Sequence, residues 1–213
     1  IGDFTDATVT ASDTFLYGDA TDSGNTKRDT VQGILDLAGG GAWNLIATAV
    51  ASTSASLDIT GINNTYDTYA IGLSEIVPAT STAIPYLRFG DSSGIDAGSA
   101  DYDWAVQSWN SSAEVRNVAG DTEIQLSHQD GVANTAGDGY GAMLYVHCPG
   151  SDATMVTFVT GTGMTTGAGG VTRYTHIVGG NMRSVIAWDR VQLLFSTGNI
   201  TSGRMTVWGL AHA

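Results

Sequence analysis

Lysine occurs once in this chain, at Lys27, cysteine once, at Cys148, and proline three times. Charged residues make up 14% of the sequence, against about 25% in an average soluble domain. Eight basic residues face 21 acidic ones, for a net charge of −13. That balance leaves no basic footprint for phosphates, so nucleic acid is excluded as a partner. Attraction to anionic lipid is disfavoured for the same reason. No apolar run reaches the ~18 residues that a spanning helix needs, so no membrane insertion is expected. A single cysteine excludes an intrachain disulfide and any multi-cysteine zinc site. Cys148 reads as a small hydrophobe near a strand end, compatible with folding in a reducing cytoplasm. The H-E-x-x-H, P-loop and G-x-G-x-x-G patterns are all missing.

Glycine is abundant, with 28 residues, and 42% of the 213 residues are hydrophobic. The chain is long enough for one sizeable core. Its surface must be built from Ser, Thr, Asn and Gly rather than Lys and Glu. Such a surface suits a protein held in an assembly, where charge is not needed for solubility; an ordinary secreted β-domain is the alternative. No signal-peptide pattern is present. A chain that starts at Ile1 was processed, trimmed or only partly represented, and the sequence leaves these open.

The stretch that organises the rest is C-terminal. Val191, Leu193 and Phe195 alternate onto one face, seven turn-forming residues follow, and Met205 and Val207 alternate again. This predicts a β-hairpin that closes the fold. Residues 1–41 form a separate arm. It has a short strand over 14–18, a turn cluster over 19–25, and a helix over 30–38 capped by Asp29 or Thr30. Val31, Ile34 and Leu35 lie on the apolar stripe of that helix. At about ten residues it is below the ~12–15 at which isolated helices persist. Its stripe must pack on the following domain or on other copies of the chain. The glycine triplet 39–41 is the boundary.

From residue 42 onward only strands are expected. They fall over 43–50, around Leu57 and Ile59, and over 68–76, 86–89, 102–109, 123–127, 141–147, 154–160, 171–178 and 184–188, followed by the hairpin. The fold class is therefore all-β: an antiparallel β-sandwich, jelly-roll-like, occupying 42–213 behind a short N-terminal arm with one small helix.

No catalytic residue is indicated. The histidines are His128, His147, His176 and His212, and a spatial triad with any of them is not legible in the sequence. His147 and Cys148 are strand neighbours that point to opposite faces. The loop over 91–103 carries Asp91, Asp96, Asp101 and Asp103 among glycines and serines, which is oxygen-rich chemistry of the kind Ca²⁺ takes. The EF-hand spacing is absent, and Asp is common in turns on its own account. Otherwise no cofactor or metal is expected. Asp101 and Asp103 share a strand face, but nothing marks a cleft for glycosidase work. Trp109, Tyr102 and Trp104 are the candidates for stacking on a glycan, with Trp109 abutting the polar stretch Asn110-Ser111-Ser112. Val31, Ile34, Leu35 and Trp43 are the candidates for anchoring or contacts between subunits. The sequons at Asn63, Asn110 and Asn199 are expected by chance in a chain of this composition.

Three segments resemble tailed-bacteriophage virion proteins, chiefly tail-fibre, appendage and decoration proteins with a C-terminal β-sandwich. The first is residues 13–28, where Asp13 precedes Asp19-Ala20-Thr21-Asp22, with Thr21 where Ser is commoner. The second is Tyr66-Asp67-Thr68-Tyr69-Ala70-Ile71-Gly72-Leu73-Ser74-Glu75-Ile76, followed by Tyr86-Leu87-Arg88-Phe89. The third is Phe195-Ser196-Thr197-Gly198-Asn199-Ile200-Thr201-Ser202-Gly203 with Val207-Trp208-Gly209-Leu210, where Trp208 replaces the commoner Tyr. The resemblance implies a non-enzymatic structural protein on the exterior of the virion, made in the bacterial host cytoplasm. It also implies a homotrimer attached to other virion proteins through residues 1–41, with the β-domain displayed for host attachment to a surface glycan. A capsid decoration protein without receptor binding is the alternative, and a carbohydrate-active enzyme is a third reading.

Overall fold

The computed structural model describes residues 9–37, 42–147, 155–167 and 172–211. They form an all-β protein with antiparallel sheets and one small helix. The chain divides into two compact units, Ile1–Asn44 and Leu45–Ala213.

In the first unit, β1 (Thr14–Asp19) pairs antiparallel with β2 (Asn25–Thr30), Thr14 lying opposite Thr30 and Asp19 opposite Asn25. Ser23 and Gly24 turn the chain at φ 52° and 76°. The Lys27 ammonium lies 2.6 Å from the Asp22 carboxylate across the hairpin end. The sequence pattern misses β2 because Asn25–Thr30 contains no apolar residue to alternate. α1 (Val31–Leu37) follows directly. The Thr30 hydroxyl caps it by accepting the Gly33 N–H at 3.0 Å. Gly33 is a glycine for a local reason: a Cβ there would run into the Asp29 carboxylate.

The second unit is a sandwich. β3 (Trp43–Val50) spans the division between the units, and β4 (Ser56–Thr60), β5 (Thr68–Pro78), β6 (Pro85–Asp91), β7 (Gly94–Ile95) and β8 (Tyr102–Trp109) follow. Next come β9 (Ala113–Asp121), β10 (Ile124–Gln125), β11 (Tyr140–His147), β12 (Phe158–Thr166), β13 (Arg173–Met182), β14 (Arg190–Phe195) and β15 (Ile200–Leu210). The eight-stranded sheet runs β3-β15-β5-β11-β12-β13-β8-β9, and the five-stranded sheet runs β10-β6-β14-β4 with β7 beside β6. One core joins the two: Leu87, Phe89, Val191 and Leu193 of the smaller sheet pack with Ile71, Leu144, Val178 and Val207 of the larger. Trp188 is fully buried, its ring 4.9 Å from Phe89 and 5.8 Å from Tyr69, edge-on to both.

Four sequence expectations change. The C-terminal hairpin does not form: β14 pairs with β4 and β6, and β15 pairs with β5 in the other sheet. The residues between them cross from sheet to sheet. On the way, Ser196 N–H donates to the Ile84 carbonyl and Ile200 N–H to the Ser54 carbonyl. Residues 184–188 are not a strand; their apolar character comes from delivering Trp188 into the core as a plug. β9 was not expected, because its sequence AEVRNVAGD alternates weakly and its side chains are mostly exposed. The strand expected over 154–160 is β12, four residues later, and Thr154 lies outside the described residues. The glycine triplet, Cys148 and His212 also lie outside them.

Candidate functional site

Alternation on β8 separates the glycan-stacking candidates. Tyr102 and Trp104 face inward and are buried, so neither ring offers a face to a sugar. The Tyr102 hydroxyl accepts the Phe89 N–H at 2.9 Å and lies 2.9 Å from the Asp96 carbonyl. Burial pushes its pKa well above the ordinary tyrosine value. The Trp104 indole N–H donates to Asp121 at 2.9 Å. Both residues are core anchors whose polar ends are satisfied, which corrects the expectation that they stack on a ligand. Trp109 points the other way, half-buried on the outer face of the large sheet, opposite Thr175 on one side and Ala113 on the other.

The aspartate loop does not gather oxygens around one point. Asp91 accepts the Ser93 N–H and hydroxyl, which holds its carboxyl below the usual range. Asp101 accepts the Gly98 N–H at 2.5 Å. Asp103 accepts the Gly120 N–H at 2.8 Å. Burial raises Asp96, with Asp101 and Asp91 adding to the effect. Among the described residues no three His, Cys, Asp or Glu side chains converge to hold a metal, so these residues do not fit Ca²⁺. Nor do Asp101 and Asp103 form a catalytic pair, since Asp101 is turned back onto its own loop.

Histidines collect where β8, β9 and β13 meet the loop after β10. His128 stacks on Tyr174 at 4.9 Å and bonds Glu114 through Nε2. Tyr174 donates to Asp130 at 2.6 Å. Beneath them the Ser108 hydroxyl lies 2.8 Å from His176 Nδ1. This is a serine–histidine contact, but both side chains are buried. Desolvation, helped by His128, lowers the His176 pKa to about 4. A sealed serine beside so weak a base cannot reach or activate against a substrate. His147 Nδ1 lies 3.1 Å from the Thr68 hydroxyl.

In the arm unit, no residue whose burial is described is buried. Ile34 is 47% exposed, Trp43 42% exposed, and Val31 half-buried. The Leu35 side chain lies outside the described residues. Phe15, Tyr17, Asp29, Gly33 and Ile34 line an open cleft between hairpin and helix.

A second concavity lies on the outer face of the large sheet. The register places Phe158, Asn181, Asp103 and Ala119 side by side across β12, β13, β8 and β9. The next outward row is Thr160, Gly179, Ala105 and Asn117. Small residues in the middle and larger ones around them leave a shallow depression of about 400 Å³ over Gly179.

No family model, curated protein or solved structure matches the chain.

The sequence reading named Asp103 in the aspartate loop but missed Phe158, Asn117, Asn181 and Gly179. A signal existed. Gly179-Gly180 extends the apolar alternation of residues 174–178, and a glycine inside a strand marks a close approach.

Proposed function

We propose that the chain is a non-enzymatic bacteriophage virion protein of the tail-fibre or appendage type. Residues 1–41 attach it to other virion proteins and the β-sandwich is displayed for host attachment. The resemblance of residues 13–28, 66–76 and 195–203 supplies the class. The observation that carries the division of labour is the contrast between the units. One has a continuous core drawn from both its sheets. The other has exposed Leu16, Tyr17 and Ile34 and no buried residue among those described. An isolated two-stranded hairpin is marginal in water, so a unit of that kind is completed by a partner. The buried state of the Ser108–His176 contact supports a non-catalytic role.

A capsid decoration protein without receptor binding is the second reading, favoured by the low charge of 14%, which suits a fixed lattice. Electron microscopy of particles labelled with an antibody against residues 45–213 tests both. Label at the tail extremity supports host attachment, label over the shell supports decoration, and no label on intact particles removes the virion reading.

A further inference from the structure

We infer that the depression over Gly179 is a carbohydrate subsite for an uncharged sugar residue. The argument starts from two adjacent glycines in β13. Gly180 faces the core, and a Cβ there would press against Ile124 at 3.0 Å and the Asp103 carbonyl at 3.1 Å. Its lack of a side chain has a packing reason. Gly179 faces outward, and a Cβ there would meet nothing within 4 Å. Its φ lies outside the left-handed region. A strand-interior glycine costs about 0.5–1 kcal/mol relative to alanine. With neither crowding nor backbone geometry to require it, Gly179 fits a place where something outside the chain comes close.

The surroundings specify what comes close. Phe158, 41% exposed, supplies an apolar wall at one end. The Asn117 carboxamide and the Thr160 hydroxyl are exposed at the rim, where each can donate and accept. Asn181 uses its amide N–H on the Met182 carbonyl at 2.9 Å, and its oxygen remains an acceptor. Asp103 spends one oxygen on Gly120 and has Arg183 3.6 Å away, so its charge is compensated in place. An apolar floor and wall with a few donors and acceptors at the rim is the usual make-up of a ligand pocket, and the volume of about 400 Å³ lies within the customary range of roughly 300–1,000 Å³. Vicinal hydroxyls both donate and accept, matching carboxamide, hydroxyl and carboxylate together, while the C–H face of a sugar ring matches Phe158 and the bare strand. The compensated charge favours a neutral hexose or N-acetylhexosamine over an anionic sugar. The inference rests on the display reading for the source of that sugar, a host surface glycan; the subsite itself is argued from the strands.

The test is an amide NMR titration of the full chain with glucose, galactose, N-acetylglucosamine and their disaccharides. The expected result is saturable shifts centred on Gly179, Asn117 and Asn181, with a Kd on the order of 1 mM for one subsite. Gly179→Leu fills the depression and should abolish the shifts. Phe158→Ala should weaken binding about tenfold, equivalent to 1.4 kcal/mol. Both variants alter solvent-facing positions and should leave the sandwich folded, with Gly179→Leu melting no lower than the parent. No saturable shift with any of these sugars, shifts centred on Trp109, or shifts that survive Gly179→Leu would each overturn the subsite. So would shifts at the same amides that follow protein concentration without sugar, because these would mean that a second copy fills the depression. Particle labelling separates the two readings. A positive titration with no label on particles sinks the display reading alone, and a negative titration with label at the tail extremity sinks the subsite alone.

Discussion

The Ser108 hydroxyl sits 2.8 Å from His176 Nδ1, and the other ring nitrogen, buried, meets no polar partner among the described residues. An imidazole in that position is held neutral. Charging it would put an uncompensated cation in the core, beside His128.

A pH dependence follows, with a definite sign. The folded pKa of His176 is about 4 against an ordinary 6.5. Above 6.5 the ring is neutral in both states and contributes no penalty. As the pH falls from 6.5 towards 4, the unfolded chain takes up the proton and the folded chain does not, so stability is lost across that window. The full loss is about 3 kcal/mol at ~1.4 kcal/mol per pKa unit. Asp96, raised by burial, acts in the opposite direction at low pH, so the readout is a difference between proteins. Urea melts of the parent and of Ser108→Ala/His176→Phe, from pH 7 to pH 4, should diverge progressively, the parent losing more. Parallel curves would mean that His176 is solvated.

The paired glycines of β13 should respond in opposite directions. Gly180→Ala forces a methyl against Ile124 and the Asp103 carbonyl and should cost about 1–3 kcal/mol as overpacking. Gly179→Ala adds a methyl in open space and should stabilise by up to ~1 kcal/mol. Thermal melts of the two single variants check this. Equal destabilisation by both would show that the outer face over Gly179 is not open.

Trp188 is the largest fully buried side chain and touches aromatic rings from both sheets, Phe89 and Tyr69. Trp188→Ala should cost about 3–5 kcal/mol, or roughly 10 °C of thermal midpoint for a unit of this size. It should also remove much of the near-ultraviolet circular dichroism. Trp188→Phe should recover part of that loss. A variant as stable as the parent would mean that residues 184–188 do not plug the core.

Period-two alternation made most of the sandwich legible, because burial on one face imposes it. The expectations over 43–50 and 102–109 coincide with Trp43–Val50 and Tyr102–Trp109. Alternation reports which side chains share a face, not which strand lies alongside. That is why Val191, Leu193 and Phe195 could be assigned to a strand while their partners, β4 and β6 rather than β15, could not. β2 and β9 were invisible because exposed strands carry no apolar rhythm. Two of the aromatic candidates were legible as core. Tyr102, Trp104 and Val106 alternate with Asp103, Ala105 and Gln107, which puts both rings on the apolar face of β8 and Trp109 on the other. The depression needs four strands in register to exist, and sequence spacing alone cannot place Phe158, Asn181 and Asn117 together.

Assembly through the arm is the last prediction. α1 has seven residues, well short of the ~12–15 that sustain a free helix, and the β1–β2 hairpin stands alone as a two-stranded sheet. Ile34, at 47% exposure, lies beside Phe15 and Tyr17 on the open cleft. Copies of the same arm would cover that apolar surface, and closed symmetry is the general form such contacts take; three-fold is the form the phage-fibre resemblance implies. The net charge of −13 opposes association, but exposed charges are screened beyond ~10 Å at 0.1 M salt, so the assembled fraction should rise with ionic strength. Light scattering on the full chain should give a multiple of the monomer mass. Deleting residues 1–41 should return it to monomer, and Ile34→Asp should weaken it while the circular dichroism of the sandwich stays unchanged. A monomer at every salt concentration would rule out an intrinsic oligomer, and an oligomer that survives the deletion would move the contact onto the sandwich.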